Sequence, residues 1–216
     1  RDFATAADLE SEKVILDVLR SARPGDAILA EESGADGDAG ADRVWLVDPL
    51  CGTHNFAART PLVTVNVALR AGGEVTAAAS VDPFSGEVYW TGGGEARVRV
   101  DGADRPLTPD SAVPLVEVNL DPPFANGPGF RAVRLLSDLA FTGRYGPRVT
   151  STTLALLWVA AGRRAAFVSD SDLHDNVHFA SPVAICRAAG CVVTGLRGQP
   201  VYDGAGGLLV SADRET

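Results

Sequence analysis

The chain has 216 residues, a formal net charge of −9 and 46% hydrophobic residues. That is enough to bury a sizeable core, as one large domain or two small lobes. The acidic balance argues against nucleic acid or an anionic membrane as the main partner. It leaves room for a phosphorylated small molecule, because a bound divalent cation reverses the local field. The three cysteines have no paired spacing and read as reduced thiols of a cytoplasmic protein. No apolar run is long enough to span a membrane, and no signal-peptide pattern is read.

In chain order, DFATAADLESEKVILDVLRSARPGD predicts a helix capped by Asp8, with Glu10 and Glu12 in its first turn. Val14, Ile15, Val18 and Leu19 form its apolar stripe, and Pro24-Gly25 ends it. Ala27–Ala30 is a short strand that stops at Glu31-Glu32. Gly34–Ala41, GADGDAGA, is the one linker-like stretch and reads as a mobile loop. Val44–Val47 is a buried strand that stops at Asp48, followed by Pro49, Leu50, Cys51 and the turn pair Gly52-Thr53.

A carboxylate at the end of a buried strand is costly unless something cationic meets it. The Gly-Thr turn exposes backbone N–H groups that can hold an anion. An acid for a metal beside amides for a phosphate is the minimum equipment for metal-assisted phosphoryl chemistry. Taken alone, the stretch is equally an Asp-Pro turn with a helix cap behind it. A second strand ending in an acid sharpens the reading. If the strands are neighbours, Glu31 and Asp48 sit at the same end and can share a cation.

Further on, Leu62–Leu69 alternates, with Val63, Val65, Val67 and Leu69 facing one way and Thr64 and Asn66 the other. Val75–Val81, GEVYW and RVRV read as antiparallel strands, the last turning at Asp101-Gly102. Val113–Leu120 is a strand, Phe130–Ala140 an amphipathic helix and Thr152–Ala161 a buried helix. Ala165–Val168, the helix Val177–Ala189, Val192–Val193 and Gly207–Ala212 follow. Meanders first and strand–helix alternation later give a mixed α/β protein of layered sheets and helices.

The order of motifs resembles the inositol monophosphatase family of magnesium-dependent phosphatases. AEESG is similar to its Gly-Glu-Glu-Ser, and WLVDPLCGTHNF to its Trp-x-x-Asp-Pro-x-Asp-Gly-Thr-x-Asn-Phe. DFATAADLESE resembles its Asp-x-x-Thr-x-x-Asp opening, and VDPFSGEVYWTGGGEA its Asp-Pro, Glu-x-Tyr and Gly-rich hairpin. Arg148 with STTLALLWVAAG, and HFASPVAICRAAGC, resemble its later segments. The resemblance starts after the family's first helix and runs through nearly the whole chain. It implies a layered αβαβα sandwich over residues 1–216, with a metal- and phosphate-binding lobe (1–120) and a C-terminal α/β lobe (121–216). It also implies a homodimer and Mg²⁺.

The resemblance makes Glu31, Asp48 and the Leu50 carbonyl metal ligands, and Gly52 and Thr53 the phosphate-holding amides. The Thr53 hydroxyl helps orient a water activated by the metal, which attacks phosphorus in line. Asp8 matches an acid near a weaker metal position, and Ser151, Thr152 and Thr153 lie where substrate is met. Two departures stand out. Cys51 replaces the second aspartate of the family's turn, and His178 replaces the aspartate of its Trp-Asp. Both are ligands of the same metal position. Asp175 could substitute only by a one-turn slip of the helix.

Cys51 and His178 each also read blandly, as a small buried hydrophobe and a helix-start residue. Together with Asp48 they offer a set softer than three carboxylates, better matched to Zn²⁺ or Fe²⁺. Cys186 and Cys191 read as core, and His54 as a tolerated turn residue. The cluster Asp170, Asp172, His174, Asp175 reads as a solvated loop rather than a metal site. Three functions follow: a metal-dependent phosphomonoesterase of a small inositol, sugar or polyol phosphate, weakened by the lost acids; a non-catalytic relative that binds a phosphorylated ligand or partner; and a transition-metal variant. The substrate is not legible, because polyol contacts come from variable loops.

Overall fold

The structure, a computed structural model, describes residues 4–38, 40–121, 130–173, 176–202 and 206–216. His174 and Asp175 therefore lie outside the described residues. Helix α1 (Ala6–Ala22) leads into β1 (Ala27–Ala30), β2 (Gly34–Asp36), β3 (Arg43–Cys51), the short α2 (Thr53–Ala57) and then β4 (Thr64–Ala71), β5 (Glu74–Val81), β6 (Val88–Gly92), β7 (Glu95–Val100) and β8 (Ala103–Pro106). These strands form an eight-stranded sheet in the order β2-β1-β3-β4-β5-β6-β7-β8. Only β1 and β3 run parallel within it. Strand β9 (Leu115–Asn119) opens the second half. A 3-10 helix (Ala132–Ser137), α3 (Leu139–Arg144), β10 (Gly146–Val149), α4 (Leu154–Ala160), β11 (Ala166–Ser169), α5 (Val177–Ala188), β12 (Val192–Thr194) and β13 (Leu208–Ser211) complete it. The second sheet has five strands, ordered β10-β9-β11-β13-β12.

The layers follow from which faces are apolar. Helices α4 and α5 lie between the sheets, and Leu154, Leu156, Leu157, Phe167, Phe179, Val183, Ile185 and Leu208 make the main core there. Helix α1 covers the outer face of the large sheet over Ile28, Ala30 and Val47. The 3-10 helix and α3 cover the far face of the small sheet over Val116, Val118 and Val168. The result is the expected αβαβα order. Each fully buried Leu, Ile or Phe contributes roughly 1.5–3 kcal/mol, so the central layer dominates the stability of both halves.

Several local expectations are corrected. Thr5, not Asp8, caps α1; Asp8 is the third helical residue, and its carboxylate returns to the Thr5 backbone in a capping box. The buried face of α1 is Asp8, Glu12 and Leu16, flanked by Ile15 and Leu19. Val14 and Val18 are 63% and 62% exposed. Of the expected stripe Ile15 and Leu19 do pack inward, and periodicity missed the centre of the face because two of its buried residues are acids. Glu12 is tolerated there because its oxygens accept the backbone N–H groups of Glu32 and Ser33, both at 2.9 Å.

Gly34–Asp36 is not loop but an edge strand, antiparallel to β1. The helix expected over Phe130–Ala140 is a 3-10 helix followed by the separate α3. It breaks at Asp138, whose side chain caps the second helix by accepting from the Phe141 N–H. Asp170 is 1% exposed rather than solvated; it accepts from Arg131 Nε at 2.6 Å and from the Ala132 N–H at 3.2 Å.

Candidate active site

Parallel pairing of β1 with β3 sets the site. Ala30 pairs with Val47, and the Glu31 N–H donates to the Val47 carbonyl at 3.0 Å, so Glu31 and Asp48 emerge side by side. This is the carboxyl end of the two parallel strands, where open α/β sheets place their ligands. Alternation along β3 sends Val47 under α1 and Leu46 into the central layer. Asp48, two residues beyond Leu46, follows it inward and is fully buried.

Asp48 survives burial because it is hydrogen-bonded on both oxygens. Oδ1 accepts from the Leu50 N–H at 3.2 Å, and Oδ2 accepts from Asn66 Nδ2 at 3.2 Å. Asn66 is the cross-strand partner of Asp48 on β4. It also donates to Thr153 Oγ1 at 3.0 Å and accepts from Ser80 Oγ at 2.7 Å, and Ser80 Oγ lies 2.7 Å from Ser181 Oγ. Asn66, Ser80 and Ser181 were not singled out from sequence. A signal was present: Thr64 and Asn66 alternate in an otherwise apolar strand, and this polar face proves to be buried.

The turn after β3 is built on Gly52. Its φ of +100° is left-handed, and a Cβ there would meet the Leu62 carbonyl oxygen at 2.5 Å. Asn55 Nδ2 donates to Leu62 O at 2.9 Å and to Ser151 O at 2.7 Å, tying the turn to the STT segment. The first amides of α2 have no partners within the helix itself. The Thr53 hydroxyl lies 3.0 Å from Asp8 Oδ1 and 3.2 Å from the Leu50 carbonyl, either of which can accept its single proton. Asp8 is fully buried, and its other oxygen accepts from the Thr5 N–H and hydroxyl.

His178 enters from the first turn of α5. The Asn176 side chain caps that turn by accepting from the His178 N–H at 2.9 Å. Pro182, four residues on, supplies no N–H for the His178 carbonyl. The ring lies between the acids, with Nδ1 2.9 Å from Asp48 Oδ2 and Nε2 3.7 Å from Glu31 Oε1. Cys51 completes the group. The ligand atoms of Asp48, Cys51 and His178 lie within 4.8 Å of one another, and the Thr153 N–H donates to Cys51 Sγ at 3.4 Å.

Burial, followed by the neighbouring Asp48 carboxylate, pushes the Glu31 carboxyl up to about 8. Glu31 Oε2 is a buried oxygen without a hydrogen-bond partner. An orphaned carboxylate oxygen beside a second acid is the donor set that a hard divalent cation satisfies. Burial and the same Asp48 charge also push the Cys51 thiol up.

Residues 1–216 match the Inositol monophosphatase family. The chain belongs to this family. It is 36% identical over 179 residues to the inositol-1-monophosphatase of Caulobacter vibrioides, covering 77% of this chain and 66% of that protein. It is 31% identical over 224 residues to Nus factor SuhB of Pasteurella multocida, covering 99% of this chain and 79% of that protein. Among solved structures, the inositol monophosphatase from Anabaena (Nostoc) superposes with a TM-score of 0.80 at 27% identity, covering 97% of this chain and 82% of that one. The family implies a divalent metal, and the fit of Glu31 and Asp48 to such an ion agrees.

Within the family frame, the remaining predicted residues fall as follows. Thr152 and Thr153 are buried, and their hydroxyls are committed to Thr64 and to Asn66; Ser151 is half-buried. His54 is exposed in α2. Cys186 and Cys191 are buried in the core, and all three cysteines are free. Among the described residues no helix is long and apolar enough to cross a membrane.

Proposed function

We propose that the chain is a divalent-metal-dependent phosphomonoesterase acting on a small inositol, sugar or polyol phosphate in the cytoplasm. The observation that carries this reading is that Glu31 and Asp48 both lie against the His178 ring while the Thr53 hydroxyl sits between Asp8 and the Leu50 carbonyl, in a family member. Glu31, Asp48 and the Leu50 carbonyl would hold the cation, Mg²⁺ in the first instance; when bound it lowers the pKa of water and draws off phosphate charge. The chain's own residues do the rest. With the Thr53 proton donated to Asp8, the hydroxyl oxygen would accept a hydrogen bond from an incoming water and orient it, and a proton released from that water would pass to Thr53 only as the Thr53 proton passes on to Asp8. Asp8 acts in this reading through Thr53, whose hydroxyl lies 3.0 Å from its Oδ1, and stands near the weaker metal position. The Gly52–Thr53 amides hold the phosphate.

The replaced acids, Cys51 and His178, support a rate below that of a family member with all its carboxylates. They also favour a second reading, a relative that binds a phosphorylated ligand or partner without turnover. Relatives named Nus factor SuhB belong to the same similarity group, so the charge of −9 does not exclude a macromolecular partner. A homodimer is part of this reading, by likeness to the family, and is tested by light scattering. The deciding experiment for function is release of inorganic phosphate from a panel of inositol, sugar and polyol monophosphates with Mg²⁺. Turnover on any of them supports the enzyme. Saturable binding of the same compounds with no release supports the second reading.

A further inference from the structure

We propose that Asp48 Oδ2, Cys51 Sγ and His178 Nδ1 form a zinc site. One ligand atom from each of the three residues lies within 4.8 Å of those of the other two, contributed by the end of β3 and the first turn of α5. The pairing register shifts between Asp48 and Cys51, and this irregularity lets residues three apart share one side of the strand end. A tetrahedral Zn²⁺ with bonds of about 2.0–2.3 Å sets its ligands roughly 3.3–3.8 Å apart. Asp48 Oδ2 and His178 Nδ1 stand at 2.9 Å, and spacings of no more than 4.8 Å close to the zinc range by shifts of about 1 Å. Three protein ligands with a position left for water or substrate is the arrangement of catalytic zinc.

The donor set does not fit Mg²⁺. That ion takes oxygen ligands in near-ideal octahedral geometry, whereas sulfur and imidazole select softer metals. Partners around the ligands are already in place. The Thr153 N–H points at Cys51 Sγ, Asn66 holds Asp48, and the far ring nitrogen of His178 faces Glu31 at 3.7 Å. A carboxylate behind a ligating imidazole is the usual outer support of a zinc histidine. The site goes beyond the proposed activity and is read without it, so failure of either leaves the other standing.

The test uses the full chain, stripped by chelator and titrated with Co²⁺, then Zn²⁺, with absorption spectra and calorimetry. The expected result is one Co²⁺ bound with tetrahedral visible bands and a thiolate-to-cobalt charge-transfer band, displaced by one equivalent of Zn²⁺ and not by excess Mg²⁺. Cys51→Ser should remove the charge-transfer band while Cys186 and Cys191 remain. His178→Gln should keep the band and weaken Co²⁺ binding by more than about a hundredfold, beyond what loss of an outer partner costs; it serves as the reading variant if Cys51→Ser does not fold by circular dichroism. Absence of the band in the native chain, its survival in Cys51→Ser, unchanged affinity in His178→Gln, or displacement by Mg²⁺ would each overturn the site.

Discussion

His178 Nδ1 lies 2.9 Å from Asp48 Oδ2, and the opposite nitrogen of the same ring lies 3.7 Å from Glu31 Oε1. An imidazole thus bridges two acids that relatives with a full carboxylate set would leave to cations. Restoring acids should move the chain toward Mg²⁺ chemistry. The double variant Cys51→Asp with His178→Asp is expected to raise Mg²⁺-dependent phosphate release by on the order of a hundredfold, the scale of one charge-stabilising partner. Without metal it should be less stable than the native chain, because added carboxylates crowd Asp48 and Glu31. A folded double variant with no gain would place the limitation elsewhere.

The pH dependence of stability has a definite sign. Glu31 sits at about 8 in the folded chain against 4.5 as its ordinary value. Its contribution is therefore fully present below about 4.5 and is lost as pH rises through about 8. Denaturant midpoints of metal-free protein should fall across that window, and Glu31→Gln should flatten the fall. Equal slopes in the two proteins would contradict the placement of Glu31.

Thr53→Val removes the hydroxyl with little change in shape. We expect kcat to fall by about a hundredfold, as for loss of a positioned route for the proton to Asp8, with KM little changed. Asp8→Asn should show a similar loss and in addition destabilise α1 by about 1 kcal/mol through its damaged capping box. Steady-state kinetics with denaturant titration separates the two effects.

Gly52→Ala combines an unfavourable φ of +100° with a Cβ placed 2.5 Å from the Leu62 carbonyl oxygen. A loss of about 1–3 kcal/mol is expected, with weakened phosphate binding, because the turn must shift. Thermal unfolding and phosphate titration read both.

Most of the frame was legible from residues. Two strands that end in acids predicted Glu31 and Asp48 at one end of neighbouring strands, and the β1–β3 register shows them there. What escaped was polar and buried. The inner face of α1 is partly acidic because Glu12 caps the turn after β1 and Asp8 reaches Thr53. Periodicity, which counts only apolar residues, found Ile15 and Leu19 but added the exposed Val14 and Val18. Asn66, Ser80 and Ser181 meet across separate elements, and one-dimensional spacing does not encode such a contact. Asp170 misled for the same reason: its charge looked solvated in sequence, yet Arg131, thirty-nine residues earlier, meets it in space.

The most direct measurement is phosphate release from inositol 1-phosphate by native and Glu31→Gln protein, each chelated and then resupplied with Mg²⁺, Mn²⁺ or Zn²⁺ in turn. The expected result is release by the native chain that requires added metal and vanishes in Glu31→Gln while circular dichroism remains unchanged. Release that is metal-independent, or equal in the two proteins, or absent from the native chain with every metal, would contradict a metal-dependent phosphatase built on Glu31 and Asp48.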